Sequence, residues 1–284
     1  MTRLTPRWLY LVMACSLSAT AASSFIFYSS RTPLISLVCK ELAYGLASVF
    51  CLQIAAEYRR QPALRMTWLL LAANAIVSSV RHALEMSWFE QVPNIHLLRQ
   101  LAITSALLCL LGGMWTMAHA FLRTGLGFRI HRIDVIAVAG VFAVVSVILF
   151  FREHLSEANS SLLAPLNLQL FSQVVLAVAA ASAVFLHRII LAMGGGKLAI
   201  AMRFLVGHIV GRVVLVLAGQ TFGLNSPSHQ SWDALSHLAF DATAWIFALA
   251  ACYRASMFAS ALRQAPPKPE EILALSLDKQ WSRI

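Results

Sequence analysis

Three residues able to do chemistry interrupt a stretch otherwise apolar enough to cross a bilayer: Arg203, His208 and Arg212, within Lys197–Gln220. The next apolar stretch begins with His237 and Asp241, one helical turn apart. A charge near the bilayer centre costs about 2.5–3.5 kcal/mol on insertion scales, so such groups usually face a partner or a wet cavity. Two further stripes share this character. Asn74, Ser78, Arg81, His82 and Glu85 fall on one helical face, and Lys40, Tyr44 and Ser48 on another, with Glu41 beside them. Arg99 and Gln100 open a fourth polar point. The chemistry open to these residues is ion pairing, capture of a polar ligand, haem ligation or proton transfer.

Haem would need paired imidazoles as axial ligands. His82 with His237, and His119 with His187, are the pairs that depth allows. Nine histidines scattered over the chain produce such pairs by chance, and none shows tight, repeated pairing within a helix. No cofactor is therefore expected, and a haem-binding redox protein or an intramembrane enzyme using the histidines stands as the alternative reading. Phe204-x-x-x-His208 followed by His237-x-x-x-Asp241 resembles the second and third motifs of the CAAX-type intramembrane proteases. That family's first motif, a Glu-Glu-x-x-x-Arg run supplying the catalytic glutamate, is missing upstream. Glu270-Glu271, the only such pair, follows both motifs and has no Arg at the required spacing. Without its base the hydrolysis has no driver, and no catalytic residue is assigned.

Other chemistry is absent from the pattern. There is no HExxH, and no GxSxG with a triad context. The last apolar stretch has no lysine for a retinal Schiff base, and no broken helices recur at matching positions in two halves. Cys15, Cys39, Cys51, Cys109 and Cys252 lie inside apolar segments without a CxxC pair, so they read as small buried hydrophobes rather than disulfide or zinc ligands. Gly194-Gly195-Gly196 lacks the strand and helix context of a phosphate loop.

The elements that must position these residues are membrane helices. Of 284 residues, 59% are hydrophobic and only 12% charged, with mean hydropathy +0.73, far from the ~25% charge of soluble domains. Eight apolar segments follow one another: Trp8–Tyr28, Ser36–Ala56, Thr67–Ser87, Leu98–Leu122, Ile133–Phe151, Leu168–Leu191, Leu198–Gln220 and Ala234–Cys252. The expected fold is an all-α, polytopic membrane helix bundle of eight spans over residues 1–263, with 264–284 as a tail.

Arg3, Arg7, Arg59, Arg60, Arg65, Arg123, Arg129, Arg132, Arg188 and Lys197 fall on one side of that threading, as do the basic residues after Tyr253. The other side holds only Arg31 and Arg152. Both termini are therefore expected in the cytoplasm, in a bacterial cytoplasmic membrane, and the net charge of +10 belongs to cytoplasmic loops rather than a nucleic-acid surface. Trp8, Tyr10, Trp68, Tyr28, Trp88, Phe89 and Trp232 mark the two interfaces.

Arg3, Arg7 and Ala19-Thr20-Ala21 also fit a cleavable signal, which would leave seven spans. The apolar run continues through Phe25–Tyr28, longer than a signal core, so the segment is read as a retained helix. In the tail, Pro266, Pro267 and Pro269 precede Glu270-Glu271, and Leu273, Leu277 and Trp281 share a face. A short interfacial helix or a disordered end both fit that pattern.

Depth along the helices puts Lys40, Glu41, Arg81, His82, Arg99, Arg212, His237 and Asp241 in the outer half and His208 near the middle. His119, His187 and Arg203 fall in the inner half. Ile133–Phe151, with Ser146 as its polar side chain beyond the first turn, is expected to face lipid. Gly207 and Gly211 allow a helix to approach closely. The expectation is an outward-facing pocket formed by spans two, three, four, seven and eight. Its residues are Lys40, Arg81, His82, Arg99, His208, Arg212, His237 and Asp241, with Arg212 paired to Asp241. Such a pocket fits a non-enzymatic sensor or interaction module, whose partners are the lipid bilayer and a small ligand or membrane protein. Ion pairs that merely fix helix packing would use the same residues.

Overall fold

The computed structural model describes residues 6–26, 32–59, 61–123, 131–156, 165–192, 197–221 and 230–261. Among them the chain is wholly α-helical. Its helices are α1 (Pro6–Ile26), α2 (Thr32–Glu57), α3 (Pro62–Leu84), α4 (Ile95–Arg123), α5 (Arg132–Ser156), α6 (Pro165–Ala192), α7 (Lys197–Thr221) and α8 (Gln230–Ala261), with a short 3₁₀ turn at Ser87–Phe89. Six of these, α2, α3, α4, α6, α7 and α8, hold stretches long and apolar enough to cross a membrane. The chain is thus a multi-pass, membrane-type helical bundle. The expected tail helix and Gly194–Gly196 lie outside the described residues.

Local chemistry sets several helix ends. Pro6, Pro62 and Pro165 each open a helix, where the missing N–H has no intrahelical acceptor to lose. Between α3 and α4 the chain turns through Asn94, whose φ of 59° lies in the left-handed region that asparagine tolerates. The Asn94 carbonyl then accepts the Leu98 N–H at 3.1 Å, starting α4. Several helices outrun the apolar segments that announce them. At 1.5 Å per residue the 29 residues of α4 extend about 43 Å, against ~30 Å of hydrocarbon, so its ends reach past the apolar layer.

Six helices close a ring in the order α2, α3, α4, α6, α7, α8 and back to α2. Outside it, α1 covers the seam of α2 and α8, and α5 leans on α6 and touches α7. Directions follow from side-chain contacts. Tyr10 meets Tyr253 at 3.1 Å while Thr20 meets Asp241, so α1 and α8 are antiparallel. Lys40 meets Asp241 and Tyr58 lies against Arg254, so α2 and α8 run the same way. The Tyr10–Tyr253 contact brings both ends of the described chain to one end of the bundle. Glu85 and Asp241 lie toward the other.

Small residues permit the closest approaches. A Cβ on Gly113 would stand 3.1 Å from the Leu71 side chain, and one on Gly211 would stand 2.7 Å from Thr243 Cγ2. Gly211 therefore admits α8, as its spacing predicts, whereas Gly207 makes only an ordinary contact with Ile246. In α6, Ala177, Ala179, Ala180, Ala181 and Ala183 are all buried, and their small side chains let three neighbours pack on one helix. As its sequence predicts, α5 is peripheral, with Ile133, Val135, Ile136 and Val144 exposed. Trp68 differs from expectation: it turns into the core between α3 and its neighbours rather than marking an interface.

Candidate functional site

The polar side chains of the ring form a column. On α3, Asn74, Ser78 and His82 recur every four residues and all are buried, spanning about 12 Å along the helix. Lys40 and Tyr44 on α2, Arg212 and His208 on α7, and Asp241 on α8 are buried as well. Arg212 Nη1 donates to Ser78 Oγ at 3.4 Å, and the His82 ring stacks on Tyr44 at 5.8 Å between centroids. α3 is antiparallel to α2, α2 parallel to α8, and α8 antiparallel to α7, so α3 and α7 run in the same direction. The Arg212–Ser78 contact therefore places His208 and Asn74, each one turn earlier, in a common deeper layer.

Toward the Glu85 end two carboxylates are matched by cations, while Glu41 Oε1 is buried without a partner. Arg81 Nη2 donates to Glu85 Oε1 at 2.8 Å, and the other Glu85 oxygen lies 3.0 Å from His82 Nδ1. Glu85 is 43% exposed, Arg81 16% and His82 5%, so access falls off along the column. Asp241, fully buried, accepts from Thr20 Oγ1 at 2.6 Å and Ser36 Oγ at 2.7 Å and faces Lys40 Nζ at 3.8 Å. Lys40 also lies over the Phe240 ring, 5.9 Å from its centroid. A buried carboxylate held by one cation and two hydroxyls has most of its lone pairs engaged.

The pair expected between Arg212 and Asp241 does not form; Asp241 pairs with Lys40. The physical reason is azimuth. Residues 241 and 243 lie on opposite faces of α8. Thr243 faces α7, where its carbonyl accepts from His208 Nδ1 at 2.7 Å, so Asp241 must face α1 and α2. Equal depth brought Arg212 and Asp241 level without bringing them together.

On the α7 side of the column Arg212 lacks such a match: among the described residues no carboxylate lies within ion-pair distance of this residue, which is 6% exposed. Both amide atoms of Asn74 are buried without a hydrogen-bond partner, as are His208 Nε2 and Trp245 Nε1. A carbonyl only accepts, so His208 Nδ1 carries its proton toward Thr243, and in the neutral ring Nε2 presents a lone pair. The layer thus offers donors from Arg212 and Asn74 and acceptors from Asn74 and His208.

Of the remaining expected pocket residues, Arg99 turns away: its Nε donates to the Leu84 carbonyl at 2.7 Å, closing the end of α3, while Nη2 is buried without a partner. Gln100 likewise leaves the column, donating to Ser172 of α6 at 2.9 Å. The polar wall is therefore made by α2, α3, α7 and α8 with a hydroxyl from α1, not by α4. His237 is partly buried one turn from Asp241. His119, His187 and Arg203 are exposed. His119 lines a separate recess of about 580 Å³ between α4, α5 and α6, apolar but for this ring and Ser182.

Thr20 and Ser36 escaped the sequence reading, because isolated hydroxyls are common in membrane helices. Ser36 did carry a signal, since it extends the Lys40, Tyr44, Ser48 stripe by one turn. Asp134 was also missed. It caps the start of α5 by accepting the His131 N–H at 3.0 Å and binds Arg188 of α6 at 2.6 Å. The chain matches no protein-family model, and comparison with curated proteins and with solved structures yields no match.

Proposed function

We propose that this is a non-enzymatic, sensor-like membrane protein that takes a small polar ligand into the column from the Glu85 end. One observation carries the reading: Asn74, fully buried with neither amide atom paired, stands in file with Ser78 and His82. A buried polar group left unpaired costs about 1–3 kcal/mol, which a ligand that pairs with it recovers. Pure packing would be served better by leucine at that position.

The threading belongs to the same proposal. The basic residues from Arg3 to Lys197 put the Tyr10 end in the cytoplasm, so the column opens to the opposite side. The hydroxyl of Thr20 on Asp241 favours retention of α1 and hence eight spans in a bacterial cytoplasmic membrane. Reporter fusions after Arg123 and Arg263 should report cytoplasm and one after Ser228 the far side; a reversal would overturn the threading.

Ligand binding is tested by thermal denaturation of the purified protein in detergent against amino acids, organic acids, sugars and amines at millimolar concentration. At least one class should raise Tm saturably in the wild type and less in His82→Ala. A flat response across the panel would remove the reading.

A further inference from the structure

The charge balance of the column narrows the ligand. Among the described side chains within the helices at this end are four cations, Lys40, Arg81, Arg99 and Arg212, and three carboxylates, Glu41, Glu85 and Asp241. Each carboxylate is engaged elsewhere: Glu85 by Arg81 and His82, Asp241 by Lys40, Thr20 and Ser36, and Glu41 by the Ser79 hydroxyl at the α2–α3 seam. Two cations have no carboxylate: Arg99, which closes the end of α3 on the Leu84 carbonyl, and Arg212, which faces the column and whose one hydrogen bond is a long contact with a neutral hydroxyl.

We infer that Arg212 is the counter-charge for a small carboxylate bearing a hydrogen-bond donor, a hydroxyl or an ammonium, next to its acid group. This rests on the reading that the ring interior takes a ligand. The planar guanidinium fork matches a carboxylate with two parallel N–H bonds, which the compact ammonium of lysine cannot supply. One turn deeper, Asn74 Oδ1 and His208 Nε2 are buried acceptors with nothing donating to them. A plain anion would satisfy Arg212 and the Asn74 amide N–H while leaving these two unmet. With its carboxylate on Arg212, an amino acid can donate to both acceptors through its ammonium, and a hydroxy acid to one of them.

The test is thermal denaturation of full-length protein in detergent at constant ionic strength, with lactate, glycine, acetate and chloride as probes. Lactate or glycine should raise Tm saturably, by roughly 5–10 °C at a hundredfold excess over Kd, and more than acetate or chloride does. Arg212→Leu should abolish the rise. Asn74→Leu, which fills the same space without polar atoms, should erase the preference over acetate, and it serves alone if Arg212→Leu does not fold. Equal effects of all four probes, a preference that survives Asn74→Leu, or a rise that survives Arg212→Leu would overturn the inference. If none of the four acts but another class in the wider panel does, this inference falls and ligand binding stands. If nothing acts, both fall.

Discussion

The two halves of the ring are stabilised by different physics. The part made of α4, α6 and the adjoining α5 closes mainly on small apolar side chains, Ala177, Ala179, Ala180, Ala181 and Ala183, with polar links at Gln100–Ser172 and Arg188–Asp134. The half made of α2, α3, α7 and α8 buries Lys40, Asn74, Ser78, His82, His208, Arg212 and Asp241. Helices in lipid gain nothing from apolar burial as such, so the first part relies mainly on van der Waals fit. The second supplies strong polar contacts, yet leaves Asn74 and Arg212 short of partners. A wall built for cohesion alone would satisfy every buried group or contain none. Under the proposed function, the contrast separates groups that hold the bundle together from groups that meet the ligand.

The sharpest way to break that contrast is at Asp241. Replacing it by Leu strands Lys40 and two hydroxyls, and broken buried pairs cost ~3–5 kcal/mol. Lys40→Met should lower stability comparably, and the double variant should recover much of the loss in a thermal-denaturation cycle. The same cycle between Arg212→Leu and Asp241→Leu should be near additive. Strong coupling there, and none with Lys40, would contradict the pairing.

A smaller effect is expected where the halves meet α8 by fit alone. Gly211→Ala puts a methyl 2.7 Å from Thr243 Cγ2, and overpacking of this kind costs about 1–3 kcal/mol. Thr243→Ser removes that methyl while keeping the hydroxyl that donates to the Phe240 carbonyl at 2.8 Å, so it should rescue Gly211→Ala. Failure of the rescue would mean that the strain lies elsewhere. The least effect belongs to the outer face of α5: Ile136, 69% exposed, should change stability by no more than about 0.5 kcal/mol on replacement by Ala. A larger loss would show that this face is covered by a partner.

Much of this was legible from residue types. The apolar runs announce the helices, the bare run of Ile133–Phe151 announces a peripheral α5, and four-residue spacing aligns Asn74, Ser78 and His82. Lys40, Arg81, His82, Arg212 and Asp241 do converge on one end. What depth along a helix cannot convey is which neighbour a face meets. That choice depends on azimuth, and azimuth turned Asp241 toward α2 and α1 rather than α7. Arg99 was misplaced for a related reason: a long side chain near a helix start can reach back to the carbonyl end of the preceding helix instead of pointing inward.

The contact between the first, second and last helices has a consequence for biogenesis. Thr20 and Ser36 are made 221 and 205 residues before the carboxylate they bind. At ~5–20 residues per second, Lys40 waits about 10–40 s for its counter-ion to be synthesised. During that interval Lys40 has no acid from α8, so the buried pair is completed only when the last helix arrives. The ring, too, closes only with the last helix, which joins α7 to α2.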